Sequence, residues 1–93
     1  MDELNYLTNL YDYYKVLLTD KQRNYFEDYY FDNLTISEIA ENNSISKNAV
    51  SKSLIEVKEK LIEYEKSLNL YNNKQKIITL LESKDYEKII DYI

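Results

Sequence analysis

The sequence predicts an all-α fold, on three observations. It contains no glycine and no proline, the residues that supply most hairpin turns and strand corners. Its apolar side chains recur at spacings of three and four, the rhythm of one helix face. Polar capping patterns stand where those runs begin. The chain has 93 residues, enough for one compact domain and short for two.

Leu4, Leu7, Tyr11, Tyr14 and Leu18, widened by Leu10 and Leu17, place a first helix at about residues 2–17. Thr19-Asp20-Lys21-Gln22 is a capping box: the Thr19 hydroxyl accepts from the Gln22 backbone and the Gln22 side chain reaches back. The helix it opens carries Tyr25, Phe26, Tyr29 and Tyr30 and runs to about Asp32, where Asp32-Asn33 is a polar break. Thr35-Ile36-Ser37-Glu38 is a second capping box. Its short helix, with Ile36, Ile39 and Ala40, stops at Asn42-Asn43-Ser44, residues that tolerate turns. Ile45 is an isolated apolar anchor, and Ser46 is the N-cap of the longest helix, to about Leu68.

That helix bears Val50, Leu54, Val57, Leu61, Tyr64 and Leu68, a heptad seam. At 22 residues it is roughly 33 Å long, too long for more than its first two turns to enter a groove. The seam packs in cis or pairs with a second chain; the chain's shortness favours cis. Asn69, Asn72 and Asn73 mark a break, and Ile77, Ile78 and Leu81 suggest a fifth helix. Ser83 is read as the cap of a sixth, with Tyr86, Ile89, Ile90 and Ile93 on its buried face. The organisation is one domain over 1–93, with a helix-turn-helix core at 19–66 and a helical extension at 70–93.

Thr35 to Leu54 holds the parts of a helix-turn-helix. Ala40 is small where the second helix crosses, Ile45 anchors the turn, and Val50 and Leu54 face inward. The turn position that usually takes glycine is Ser44, so a non-glycine residue is expected at positive φ. The outer edge presented to nucleic acid would be Thr35, Ser37, Ser46, Lys47, Asn48, Ser51, Lys52 and Ile55. Lys47 and Lys52 could neutralise phosphates and Asn48 could pair with an adenine edge. The competing reading is a plain helical corner with a solvated polar face.

Charge limits that reading. The net charge is −5. Residues 1–45 hold three basic and nine acidic side chains, residues 46–66 five and four, and residues 67–93 four of each. Only the middle segment could face a phosphate backbone. Arg23 is the one arginine, and it lies outside the motif.

Without cysteine or histidine, disulfides, zinc fingers and Cys- or His-based catalysis are excluded. The Asp28/Asp32 and Glu59/Glu63 pairs, at i and i+4, read better as solvated faces than as metal ligands. No enzymatic centre, metal or cofactor is expected. The eleven tyrosines invite base stacking, but Tyr11, Tyr14 and Tyr64 sit on core stripes and stacking platforms need basic grooves. Tyr13, Tyr29 and Tyr30 are expected to be partly exposed. No apolar run approaches the roughly 20 residues that span a bilayer. Met1 is followed by Asp2 and Glu3, unlike a signal peptide; a cytoplasmic protein is expected.

The runs LYDYYKVLLTDKQRNYFEDYYFDNLTISEIAE (Leu10 to Glu41) and SISKNAVSKSLIEVKEKLIEYE (Ser44 to Glu65) resemble the YlxM-like family of small bacterial helix-turn-helix proteins. The resemblance runs from about Asn5 to Leu70. It implies a fold of the winged-helix-like, sigma-factor-region type, similar to the promoter-reading last region of sigma factors, with a C-terminal helical extension. It also implies an accessory or regulatory role in the signal recognition particle pathway. The expected partners are DNA or the particle's RNA, or the particle's protein subunit or receptor. Where relatives often place arginine after the helix cap, this chain has Lys47, which cannot grip a phosphate bidentately. Two alternatives stand beside that role: a sequence-specific DNA-binding transcriptional regulator, and a protein–protein adaptor without nucleic acid. A homodimer through the C-terminal helices is also expected, since Ile77, Ile78, Leu81, Ile89, Ile90 and Ile93 exceed what a small core buries.

Overall fold

The structure is a computed structural model that describes residues 2–92. It contains five α-helices: α1 (Glu3–Tyr14), α2 (Asp20–Tyr30), α3 (Ile36–Asn43), α4 (Lys47–Leu68) and α5 (Leu70–Glu82). A 3-10 turn, Lys15–Leu17, prolongs α1, and a 3-10 helix, Tyr86–Tyr92, closes the chain. There is no strand among the described residues, so the helix-turn-helix carries no wing.

The helix starts follow from local chemistry. Asp2, Thr19, Thr35 and Ser46 each accept a hydrogen bond from the backbone three residues on. Both capping boxes close: Gln22 accepts from the Thr19 N–H and Glu38 from the Thr35 N–H. The helix ends are built without glycine. Asn33, Ser44, Asn69 and Lys84 all take left-handed φ between 54° and 61°, which reverses the chain at each joint beyond α2. At the helix-turn-helix, Ser44 has φ 54° and ψ 43°, and the Ile45 N–H reaches back to the Ala40 carbonyl at 3.0 Å. That is a Schellman closure, with Ile45 packed over it.

Two apolar clusters share α4 as their beam. One joins Leu7, Leu10, Tyr11 and Tyr14 of α1, Leu18, Phe26 of α2, Val57 and Leu61 of α4, and Tyr71 of α5. The other is the helix-turn-helix core: Tyr25, Ile39, Ala40, Val50 and Leu54. Tyr30 packs against both. The seam therefore packs in cis, as its length suggested. Truncating a fully buried member such as Leu10 or Leu61 would cost about 2–5 kcal/mol.

Five expectations are corrected. Tyr86 and Ile90 are exposed, not buried, in a closing 3-10 helix that buries no residue fully. Leu17 is half exposed because α1 turns 3-10 after Tyr14, and Leu4 is half exposed because the buried stripe of α1 starts only at Leu7 and continues through Leu10, Tyr11 and Tyr14. The seam of α4 passes from Leu61 to Glu65, which is buried, while Leu68 is exposed; a straight helix drifts off a strict seven-residue repeat. Asn69 alone forms the joint after α4, and Asn72 and Asn73 lie inside α5. Ser83 does not begin a helix: it ends α5, its hydroxyl donating to the Leu80 carbonyl at 3.1 Å. Ile93 lies outside the described residues.

Glu65 explains how α5 is held. Its Oε1 accepts from the Tyr14 hydroxyl at 2.6 Å and the Tyr71 N–H at 3.1 Å, and its Oε2 from the Asn72 N–H at 2.9 Å. The Tyr14 hydroxyl in turn accepts from the Leu70 N–H at 3.0 Å. The first turn of α5 is thus capped by a side chain from α4 and one from α1. Burial and this carboxylate push the Tyr14 phenol up to about 12. Beyond Tyr71 the α5 hairpin extends away from the body, and the molecule measures 54 × 21 × 17 Å.

Candidate nucleic-acid interface

The interface begins with the way α4 is seated. Ser46 fixes its first turn, and Val50 and Leu54 bury its inner face against Ile39, Ala40 and Tyr25. Lys47, Asn48 and Lys52 then fall on the opposite face of its first two turns by helical spacing. All three are exposed. None of the three side chains makes a hydrogen bond or ion pair among the described residues. No carboxylate sits in the first turn, where the helix dipole adds positive potential. The chain's one arginine takes no part: Arg23 is paired with Asp20 and donates to the carbonyls of Lys15 and Leu18, closing the α1–α2 joint.

The eight residues singled out in the sequence fall into two groups. Ser46, Lys47, Asn48 and Lys52 form the open edge. Ser46 is on it as a cap, with its oxygen already accepting from Ala49. The other four face a different feature. Thr35 and Ser37 line a cleft of about 540 Å³ with Leu4, Tyr29, Tyr30 and Ile36. Ser51 and Ile55 line a neighbouring cleft of about 340 Å³ with Tyr29, Tyr30, Ile36, Leu54 and Lys58. The Thr35 hydroxyl is occupied by its capping box.

The clefts were not visible as such in the sequence. Their signal is a set of apolar residues off the core stripes: Leu4 at the start of α1, Tyr29 and Tyr30 at the end of α2, and Ile55 on α4. Tyr29 and Tyr30 are partly exposed, as expected. Burial raises the Tyr30 phenol above its ordinary value. Lys58, at the far end, is paired with Glu3, and that hydrogen bond raises its ammonium above the usual lysine value. The lysine keeps its charge but shares it with the Glu3 carboxylate in an exposed pair.

Among the described residues no group of three His, Cys, Asp or Glu side chains stands close enough to hold a metal ion. No helix there is long and apolar enough to cross a membrane.

Sequence relatives match nearly the whole chain. Residues 1–91 match the family described as "Putative helix-turn-helix protein, YlxM / p13 like". A UPF0122 protein of Ureaplasma parvum is 43% identical over 86 residues, covering 89% of this chain and 87% of its own. One from Geobacillus is 42% identical over 84 residues, 89% of this chain and 74% of its own. The Lactococcus lactis protein YofM is 40% identical over 73 residues, 78% of this chain and 66% of its own. An all-helical body, a glycine-free helix-turn-helix turn and this match together make the chain a member of the YlxM/p13-like helix-turn-helix family.

Proposed function

We propose that this protein is a cytosolic helix-turn-helix accessory factor of the signal recognition particle pathway that works by binding nucleic acid with the N-terminal end of α4. The observation that carries the binding reading is the open edge: Lys47, Asn48 and Lys52 are exposed, unpaired among the described residues, and held on a rigid, capped helix. The pathway rests on the family resemblance of residues 5–70. The particle's RNA is the preferred ligand over an operator, since the edge has lysines and no arginine to read guanine bidentately.

Titrating the particle's RNA and a duplex DNA at several salt concentrations tests this. Each phosphate contact contributes roughly 0.7–0.9 to the slope of log K against log salt, so replacing both Lys47 and Lys52 by Ala should flatten it by about 1.4–1.8. An unchanged slope, or no binding at low salt, overturns the reading. Sequence-selective binding to duplex DNA alone would instead make it a transcriptional regulator. Capture of the particle's protein subunit without RNA would favour the adaptor.

A further inference from the structure

A single residue separates the two longest helices: α4 ends at Leu68 and α5 begins at Leu70. Asn69, between them, has φ 55° and ψ 27°, a left-handed conformation. Its N–H donates to the Glu65 carbonyl at 2.8 Å, and its carbonyl accepts from the Asn73 N–H at 2.9 Å. Both are the four-residue bonds of an α-helix. Between them lie the amides of Leu70, Tyr71 and Asn72. In an unbroken helix these would donate to the carbonyls of Lys66, Ser67 and Leu68. Here the Tyr14 hydroxyl takes the first at 3.0 Å, Glu65 Oε1 the second at 3.1 Å and Glu65 Oε2 the third at 2.9 Å. The clasp thus replaces, one for one, the bonds that a continuous helix would make across the break.

The local sequence does not enforce that break. Residues 64–76 hold no proline and no glycine, and their leucines, lysines, glutamate and glutamine favour a helix. A left-handed turn at a residue other than glycine costs energy, and asparagine only tolerates it. The break is upheld from a distance. Tyr71 is buried and packs edge-on against Tyr6 and Tyr13. The Tyr14 hydroxyl, from α1, bonds to both Glu65 and Leu70. One group works the other way: the Tyr13 hydroxyl is buried with no hydrogen-bond partner among the described residues, and its ring lies beneath Lys74 of α5. Lifting α5 would open those surroundings to water and relieve the orphaned donor.

We infer that Asn69 is a two-state hinge and the Tyr14–Glu65 pair its latch: closed, α5 turns off against α1, and open, Asn69 becomes right-handed and α4 runs on into α5 as one helix from Lys47 to Glu82. The two arrangements keep the same number of backbone bonds at the joint, so tertiary contacts decide between them. Opening draws Tyr71 and Lys74 off α1 and uncovers Tyr6 and Tyr13. A ligand that grips the straight helix or the uncovered tyrosines selects the open state. The hinge uses no residue of the lysine edge and stands apart from the nucleic-acid reading.

The test measures one distance in the full chain. The sequence has no cysteine, so Glu56→Cys with Glu82→Cys, both exposed, carries two spin labels for pulsed dipolar spectroscopy. A straight helix sets these positions roughly 39 Å apart, the longest separation the two helices allow. The labelled parent should show a shorter one. Tyr14→Phe removes the hydroxyl and keeps the ring; joined with Asn69→Ala, it should raise the population near that long separation about tenfold (~1.4 kcal/mol), with helical ellipticity retained. Asn69→Ala alone, at an exposed site that leaves the core intact, should shift it in the same direction. Tyr14→Phe with Asn69→Gly should restore the shorter separation, because glycine takes the left-handed turn freely. An unmoved separation in both alanine variants overturns the inference. So does an equal shift with alanine and glycine, or a broad distribution with lost ellipticity, which would mean that the released hairpin frays and does not straighten.

Discussion

Replacing Glu65 by Ala should loosen α5 first and the whole fold second. The carboxylate accepts three hydrogen bonds, from Tyr14, Tyr71 and Asn72. Bonds to a charged acceptor contribute about 1.5–3 kcal/mol each, but the three do not add. Removing a buried anion recovers its desolvation penalty, and water can reach the Asn72 N–H at the partly buried end. The Tyr14 side chain is fully buried, so its hydroxyl is left as an unsatisfied donor. A net loss of about 3 kcal/mol is expected, against a total stability of about 5–15 kcal/mol. With a urea slope of about 1–1.5 kcal/mol/M, the unfolding midpoint should fall by about 2–3 M. Glu65→Gln keeps one carbonyl acceptor and should lose about half as much. Urea titration by circular dichroism measures the global change, and hydrogen exchange at Tyr71 and Asn72 the local one. A loss under about 0.5 kcal/mol, or unchanged protection at those two amides, would refute the capping role of Glu65.

Asp28 offers a pH test. Desolvation, then Asp32 and Glu27, raise its pKa above the ordinary carboxylate value. The folded state then holds the proton more tightly than the unfolded one, so stability is greatest below the unfolded pKa and falls as pH rises through the folded one. Asp28→Asn should therefore be more stable than the parent at neutral pH, with the gap closing towards pH 3; a constant gap would contradict this. Ser44→Gly should remove left-handed strain of about 1 kcal/mol, partly offset by glycine's greater unfolded freedom, and raise the melting temperature by about 2–4 °C. A lower melting temperature would show that Ser44 is not strained. A homodimer through the C-terminal hairpin, where Leu81, Tyr86 and Ile90 are exposed, predicts twice the monomer mass by light scattering at high concentration. Ile90→Lys should restore the monomer; a monomer in the parent chain would end that proposal.

Legibility in the sequence followed the range of the forces involved. Caps act over three residues, so Thr19, Thr35 and Ser46 could be read directly, and the bounds of α3 and α4 with them. Ser44 was legible for the same reason: the turn needs a left-handed residue and the chain has no glycine to give it. Glu65 was not, because its role depends on Tyr14 from 51 residues away. Ser83 misled because a serine that ends a helix and one that begins it look alike until the flanking hydrogen bonds are known. Period alone put Lys47, Asn48 and Lys52 on the outer face of α4, and all three are exposed. Ser51 and Ile55 share their outward face but turn towards a cleft, a distinction made by Tyr29 and Tyr30, which belong to another helix.

α4 also has a mechanical consequence. Its 22 residues form a rod of roughly 33 Å with the lysine edge at one end and the Glu65 clasp at the other. A tilt of the rod by about 10° at the edge would carry its far end through about 6 Å. Because α4 is packed into both apolar clusters, such a tilt would have to carry those clusters with it before it displaced the α5 hairpin. The clasp sets how faithfully that motion is passed on: intact, it moves the hairpin as one piece with α4, and released, it lets the angle between them change.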